Sequence, residues 1–284
     1  MNPEERAGAL AFLQRLAAEL SEGTVDLPCF PDVVVRISKS LDDPHTTAEQ
    51  AVAVVGLEPR LAARLLQTAN SAAFNTAGKP VTDLRSAVTR LGYQMVRSIA
   101  MSYALQQVQG DASLRSIAKS LSELWSDSIA AACLCQLVAK RAKVNPEAAF
   151  LTGLLHGIGS LYILVRGIGT LPDLGPDGSC LDLVRGWQAS IGKAVLQNWG
   201  FAEEMCEAVG DQRDYERRWK HQATLTDVLI ASLVLADSLR APPPRAIATE
   251  GINAFLSAGL THETCLSLLE DAESRITAIR DAFR

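Results

Sequence analysis

The stretch Phe150-Leu151-Thr152-Gly153-Leu154-Leu155-His156-Gly157-Ile158-Gly159 sets one histidine and three glycines in an otherwise almost wholly apolar run. Asn145-Pro146 ahead of it supplies a helix start, and apolar residues continue behind it to Val165, so the spacing predicts one long helix from 146 through 165. A histidine in such a helix has two readings. It is a core residue with one ring nitrogen satisfied, or a group kept for chemistry. The residue alone leaves both open.

The surroundings are helical on both sides. Leu10, Leu13, Leu16 and Leu20 recur at steps of three and four and mark a first helix ending near Gly23. Pro31 opens a second with the inner stripe Val34, Ile37 and Leu41, which Asp43-Pro44 closes. Thr47 and Gln50 form a capping box for a helix through Val55. Pro59 restarts the chain with Leu61, Leu65 and Ala69. Leu84, Val88 and Leu91 lead to Gly92, and Met95, Val96 and Ile99 follow at once. From Ala112 the style changes to a long helix reaching Lys143, with Leu114, Ile117, Leu121 and Leu124 inward. The glycine- and proline-rich run 167–179 is loop. Further helices cover 181–199, 203–209, 224–239 and 261–283, with Pro242 to Pro244 a stiff break before the last. No alternating strand pattern and no internal repeat occurs. The expected architecture is all-α: an N-terminal helical lobe, 1–110, packed on a second helical lobe, 111–284.

Composition narrows the function. A hydrophobic share of 48% with 21% charged residues builds a real core, and only 5% aromatic content favours close-packed helices. A net charge of −5 and a pI near 5.5 argue against a general nucleic-acid or anionic-membrane binder. Glu4, Glu5 and Glu19 make the first helix amphipathic and unlike a signal peptide, and the 148–165 run is short for a membrane span, which points to the cytoplasm. Six cysteines show no metal-finger spacing and read as buried hydrophobes in a reducing compartment.

The wording around His156 resembles the Gly-Leu-Leu-His-Asp-Ile-Gly helix of the HD phosphohydrolase superfamily. In that superfamily the His-Asp pair binds metal, and further histidines and a distal aspartate complete the site. The N-terminal half narrows the resemblance. Leu27-Pro28, Pro31, Glu58-Pro59-Arg60-Leu61, Leu65-Leu66, Ala69-Asn70-Ser71-Ala72-Ala73-Phe74 and Ala87-Val88-Thr89-Arg90-Leu91-Gly92 together resemble the HDOD domain over roughly 27–237. That resemblance implies an all-helical, HD-like bacterial signalling module without demonstrated hydrolysis.

Carried over residue by residue, the resemblance describes a degenerate site. Asp127, in Trp125-Ser126-Asp127-Ser128, stands where the first histidine would be, and His156 matches the histidine of the pair. Gly157 replaces the aspartate, Gln188 replaces the next histidine, Asp211 and Gln212 replace two more, and Asp237 matches the final aspartate. Glycine has no donor atom, and glutamine is a poor stand-in for imidazole at a transition metal. No catalytic residue, metal or cofactor is therefore expected. His156, Asp237 and Asp127 either hold one ion weakly or hydrogen-bond to each other, and the second reading is preferred.

Three weaker signals remain. Asn70-Ser71 reads as a helix C-terminal turn or a recognition element, and Phe30 with Cys29 between Pro28 and Pro31 as a rigid exposed anchor; Phe30, Asn70 and Ser71 are thus the candidate interaction surface. Arg213, Arg217, Arg218 and Lys220 with Tyr215 and Trp219 form a basic, aromatic-laced run, more readily a solvated loop than a phosphate dock. The leading function is a non-catalytic module that contacts other signalling proteins. The alternatives are an aberrant metal-dependent phosphohydrolase and a receptor for a nucleotide second messenger.

Overall fold

A computed structural model of the chain describes residues 3–23, 25, 27–28, 30–71, 74–75, 78–171, 180–218, 221–240, 247, 249 and 251–282. All regular structure among these residues is helical. Cys29, Ala72-Ala73, Trp219, Lys220 and Pro242 to Pro244 lie outside the described residues. The chain divides into two compact units, Cys29–Asp111 on one hand and Met1–Pro28 with Ala112–Arg284 on the other.

The smaller unit holds α2 (Asp32–Asp42), α3 (Ala48–Val55), α4 (Pro59–Ala69), α5 (Leu84–Leu91) and α6 (Tyr93–Gln109), after a first helix α1 (Pro3–Ser21) that belongs to the other unit. Local signals fix these boundaries. The Thr47–Gln50 capping box forms, Pro59 takes the first turn of α4, and the Asp83 carboxylate accepts from the Ser86 amide at 2.8 Å to start α5. The expected stripes point inward: Val34, Ile37, Leu41, Leu61, Leu65, Ala69 and Val88 are all buried. Inside the unit Arg97, 3% exposed, donates through Nε to Ser38 Oγ and pairs with Asp42. Asn70 acts as a clasp: Nδ2 donates to the carbonyls of Leu66 and Val81 at 3.0 and 2.8 Å, while Oδ1 accepts from the Val81 amide at 2.7 Å. Arg90 adds bonds to the Ala69 and Lys79 carbonyls, each 3.1 Å.

The larger unit holds α1, a 3-10 turn (Ala112–Ile117), α7 (Ala118–Ala142), α8 (Pro146–Leu155), α9 (Ile158–Gly167), α10 (Leu181–Asn198), α11 (Glu203–Gly210), α12 (Leu225–Leu239), α13 (Asn253–Ser257) and α14 (His262–Ala282). Helix α7 runs at its centre, packed on α8, α12 and α14. The first helix packs on α10 and not within the N-terminal lobe assigned to it above: Asn198 Nδ2 donates to the Leu20 carbonyl at 2.9 Å, and Arg166 pairs with Glu19 at 2.9 Å. Its apolar stripe alone could not say which surface would cover it.

The helix expected over 146–165 is two helices broken at His156-Gly157. The glycines on either side explain the break, since each half must approach a different neighbour. A Cβ on Gly153 would stand 2.7 Å from the Ala131 carbonyl of α7, and one on Gly159 would collide with the Gln188 carbonyl of α10. Both crossings need bare backbone. The apolar window over Pro146–Gly167 is 89% buried, so its hydropathy is spent on the core. Among the described residues Cys133, Cys135, Cys180, Cys206 and Cys265 are buried, and burial pushes the Cys135 thiol up to about 12, which leaves it inert.

Candidate functional site

Four helices of the larger unit converge on a cavity of about 230 Å3. Each contributes one stripe at helical spacing: Glu123 and Asp127 from α7, Ser160 and Leu164 from α9, Val184 and Gln188 from α10, and Leu233, Asp237 and Arg240 from α12 and its C-cap. His156, at the α8–α9 break, lies in the wall with 9% of its surface exposed. Of the positions singled out by the resemblance, Asp127, His156, Gln188, Gln212 and Asp237 share this cavity. Asp211 does not: it caps α11 on the exposed side, one residue before the buried Gln212.

His156 is held in one tautomer. Its Nδ1 lies 2.8 Å from the Gly153 carbonyl, which can only accept, so the proton is assigned to Nδ1 and Nε2 keeps its lone pair. Burial pulls the ring below the usual histidine value, with the Gly153 hydrogen bond and the Asp127 charge opposing that pull. The ring is neutral at pH 7, and among the described residues no donor meets Nε2.

The two carboxylates are joined, but through a residue that sequence reasoning did not single out. Arg240 pairs with Asp127 at 2.6 Å and with Asp237 at 2.7 Å, one terminal nitrogen to each. Burial would lower this guanidinium, yet Asp127, Asp237 and Glu123 outweigh it and hold it above its ordinary value. The polar cluster expected among Asp127, His156 and Asp237 therefore takes another form. The histidine bonds to backbone, and arginine bridges the acids. The signal lay three residues past Asp237, one turn on along the same helix, where a cation reaches back to a carboxylate.

The resemblance implies a metal, and the residues present do not fit one. Gly157 offers no donor, and a Cβ there would stand 2.7 Å from Leu124 Cδ1. Gln188 Oε1 accepts from Ser160 Oγ. Gln212, wholly buried, donates to the His156 and Val209 carbonyls at 3.1 and 2.8 Å, so its amide holds backbone in place while its Oε1 is sealed inside without a partner among the described residues. Asp127 and Asp237 face Arg240. Among the described residues no three His, Cys, Asp or Glu side chains gather at metal-binding geometry.

The remaining candidates separate cleanly. Phe30 is buried at 7% exposure, so it is no exposed anchor; the apolar ring that suggested a contact surface is used by the fold. Asn70 spends its whole amide on the clasp, and Ser71 Oγ donates to the Thr68 carbonyl at 2.7 Å, which makes this turn structural. In the basic run, Arg213 and Tyr215 line the cavity, but Arg217 forms a buried pair with Asp227 at 3.2 Å and Arg218 is exposed. The run is therefore not one continuous patch.

Comparison with known proteins places this geometry. A structure from Shewanella amazonensis SB2B, described as a candidate metal-dependent phosphohydrolase, is 27% identical with a TM-score of 0.69, covering 98% of this chain and 100% of that one. An HDOD domain protein of unknown function from Geobacter sulfurreducens is 22% identical with a TM-score of 0.66, covering 97% and 99%. A candidate signal transduction protein from Marinobacter aquaeolei VT8 is 22% identical with a TM-score of 0.63, covering 98% of this chain and 65% of that one. An uncharacterized protein of Treponema pallidum is 23% identical over 206 residues, and the chain spans 39% of that relative's length. The HDOD domain itself matches residues 27–215, which takes in Asn70, Arg90, Asp127, His156, Gln188 and Gln212 alike. With two thirds of its length so matched, this chain belongs to the HDOD domain family.

Proposed function

We propose that the chain is a bacterial, cytoplasmic signal-transduction module that performs no phosphohydrolysis and works by contact with other signalling proteins. One observation carries this reading: apart from the His156 ring, the cavity-lining positions at which the HD superfamily would place a metal donor are either empty of donor atoms or committed to the protein itself. Gly157 has none, Gln188 serves Ser160, Gln212 serves two backbone carbonyls, and both aspartates serve Arg240. Hydrolysis by a metal-activated water needs the reverse, donors aimed at one open point. The description of the Marinobacter neighbour as a candidate signal transduction protein accords with it.

A second reading is favoured by His156, which keeps a neutral ring with a free Nε2 at the cavity, and by the description of the Shewanella neighbour. One experiment separates the two. The purified protein is assayed against phosphomonoesters, nucleotides and cyclic dinucleotides with Mn2+, beside His156→Ala. We expect no turnover above background in either protein. Turnover that His156→Ala abolishes would establish the hydrolase and remove the non-catalytic reading. In the native bacterium, in-cell cross-linking of the intact chain is expected to join it to a defined signalling protein.

A further inference from the structure

The charges on the wall of the cavity are sorted by sign. Helices α7 and α12 bring Glu123, Asp127 and Asp237, and against these three acids only Arg240 at the α12 C-cap. Helix α10 and the turn after α11 bring Arg185 and Arg213, and among the described residues they bring no acid to the wall. Arg240 is engaged by Asp127 and Asp237 at 2.6 and 2.7 Å. The other two arginines are not so held. Arg185 has Asp182 at 3.7 Å, a side chain 96% exposed, and no ion pair among the described residues holds Arg213. The His156 ring gives a separate sign of a ligand. It is 9% exposed and lines the same cavity, and its Nε2 meets no donor among the described residues, so a buried acceptor stands there without its N–H.

We propose that this cavity binds a small zwitterion of the amino-acid class, its carboxylate on Arg213 and Arg185, its ammonium toward the acids of α7 and α12, and an N–H of the ligand on His156 Nε2. A guanidinium fork matches the two oxygens of a carboxylate. Asp127 and Asp237 keep further lone-pair sites while paired with Arg240, so they can accept from an ammonium without giving up the arginine. A ligand of one sign is repelled by one part of this wall, and a phosphate dianion sets a second negative charge against three acids. A zwitterion is attracted at both ends. Size agrees: about 230 Å3 lies below the roughly 300–1,000 Å3 of sites for drug-sized molecules, which leaves room for an amino acid and not for a dinucleotide. The inference stands whichever protein the module contacts, and it involves no hydrolysis.

The test is titration of the full chain with glycine, 4-aminobutyrate and 6-aminohexanoate, three spacings of the same two charges, followed by saturation-transfer NMR. Butyrate and butylamine, hexanoate and hexylamine supply the single ends, and O-phosphoethanolamine exchanges carboxylate for phosphate. One zwitterion is expected to bind about tenfold or more tightly than either of its single ends. Arg213→Gln should weaken it about tenfold and Glu123→Gln about threefold. Both side chains are exposed, so the fold has little at stake in either change. Arg218→Gln, five residues further along the same run but off the cavity wall, should leave binding as it was. Binding by none of the three zwitterions overturns the proposal, as does a single end that binds as tightly as the whole. Tighter binding of O-phosphoethanolamine than of all three carboxylates overturns the assigned anion. Binding untouched by Arg213→Gln and Glu123→Gln in folded protein shows that the site lies elsewhere.

Discussion

In the smaller unit Arg97 meets Asp42 with 4% of its own side chain exposed; in the larger unit Arg240 meets Asp127 and Asp237 with 59% exposed. The chemistry is the same and the settings are opposite. Arg97 is enclosed by α6 and α2, reaches Ser38 as well, and has surrendered its hydration to hold two helices in register. Arg240 keeps most of its water, and its partners keep much of theirs. A buried pair broken on one side leaves an uncompensated charge, whereas an exposed pair adds little to folding. Arg97 therefore explains part of the fold. Arg240 explains almost none of it, and its place is accounted for by the pocket.

The largest expected effect tests the first half of that contrast. Arg97→Met keeps the aliphatic stem and removes the charge, stranding Ser38 and leaving Asp42 to turn toward solvent. We expect a loss of about 2–4 kcal/mol in denaturant unfolding. A loss below about 1 kcal/mol would mean that burial of this pair has been misjudged and that the two arginines are alike. Asn70→Ala comes next. It deletes three hydrogen bonds at once and leaves the buried Val81 amide without its acceptor. The expected loss is about 2 kcal/mol, with partner contact in folded protein unchanged. If instead stability holds and contact is lost, Asn70 belongs to a recognition surface after all.

These two residues show what the sequence made legible. Helix periods, caps and the order of the motifs specify the all-α fold, because stripes such as Leu61, Leu65 and Ala69 are local and need no knowledge of the partner surface. The positions that converge on the cavity were also readable, since the resemblance fixes them one by one. What periodicity could not supply is tertiary choice. It could not say that α1 would join α10, that Phe30 would be covered, or that the 146–165 helix would break at His156 so that Gly153 and Gly159 could meet different neighbours. Arg240 was missed for a related reason. An arginine at the end of a helix is ordinary until the structure brings a second acid, Asp127, from more than a hundred residues away.

A smaller effect concerns His156. Because burial holds its folded value below the ordinary one, the unfolded chain takes up a proton at a pH where the folded chain does not. Its share of stability is therefore complete above the unfolded histidine value of about 6.5 and is lost as pH falls below that toward the depressed folded value. His156→Ala should cost about 1–3 kcal/mol at pH 7 through the freed Gly153 carbonyl and lost packing. It should also flatten the pH dependence of the melting temperature below about pH 6.5. An unchanged slope would show that the ring titrates as freely folded as unfolded, which a wall position at 9% exposure does not allow.

The smallest effect on stability falls at Arg240, and its smallness is the point. Arg240→Gln removes two ion pairs whose members are each more than a third exposed, Asp127 at 37% and Asp237 at 69%. Solvent and salt already screen them, so the change should cost no more than about 1 kcal/mol at ordinary ionic strength. It should cost less still in high salt, where the native pairs contribute least. Without the guanidinium, Asp127, Asp237 and Glu123 repel one another, and that repulsion has a sign that can be followed. Raising ionic strength should stabilise Arg240→Gln relative to the native chain. If Arg240→Gln instead unfolds as readily as Arg97→Met, the two arginines do the same work and the contrast between the units fails.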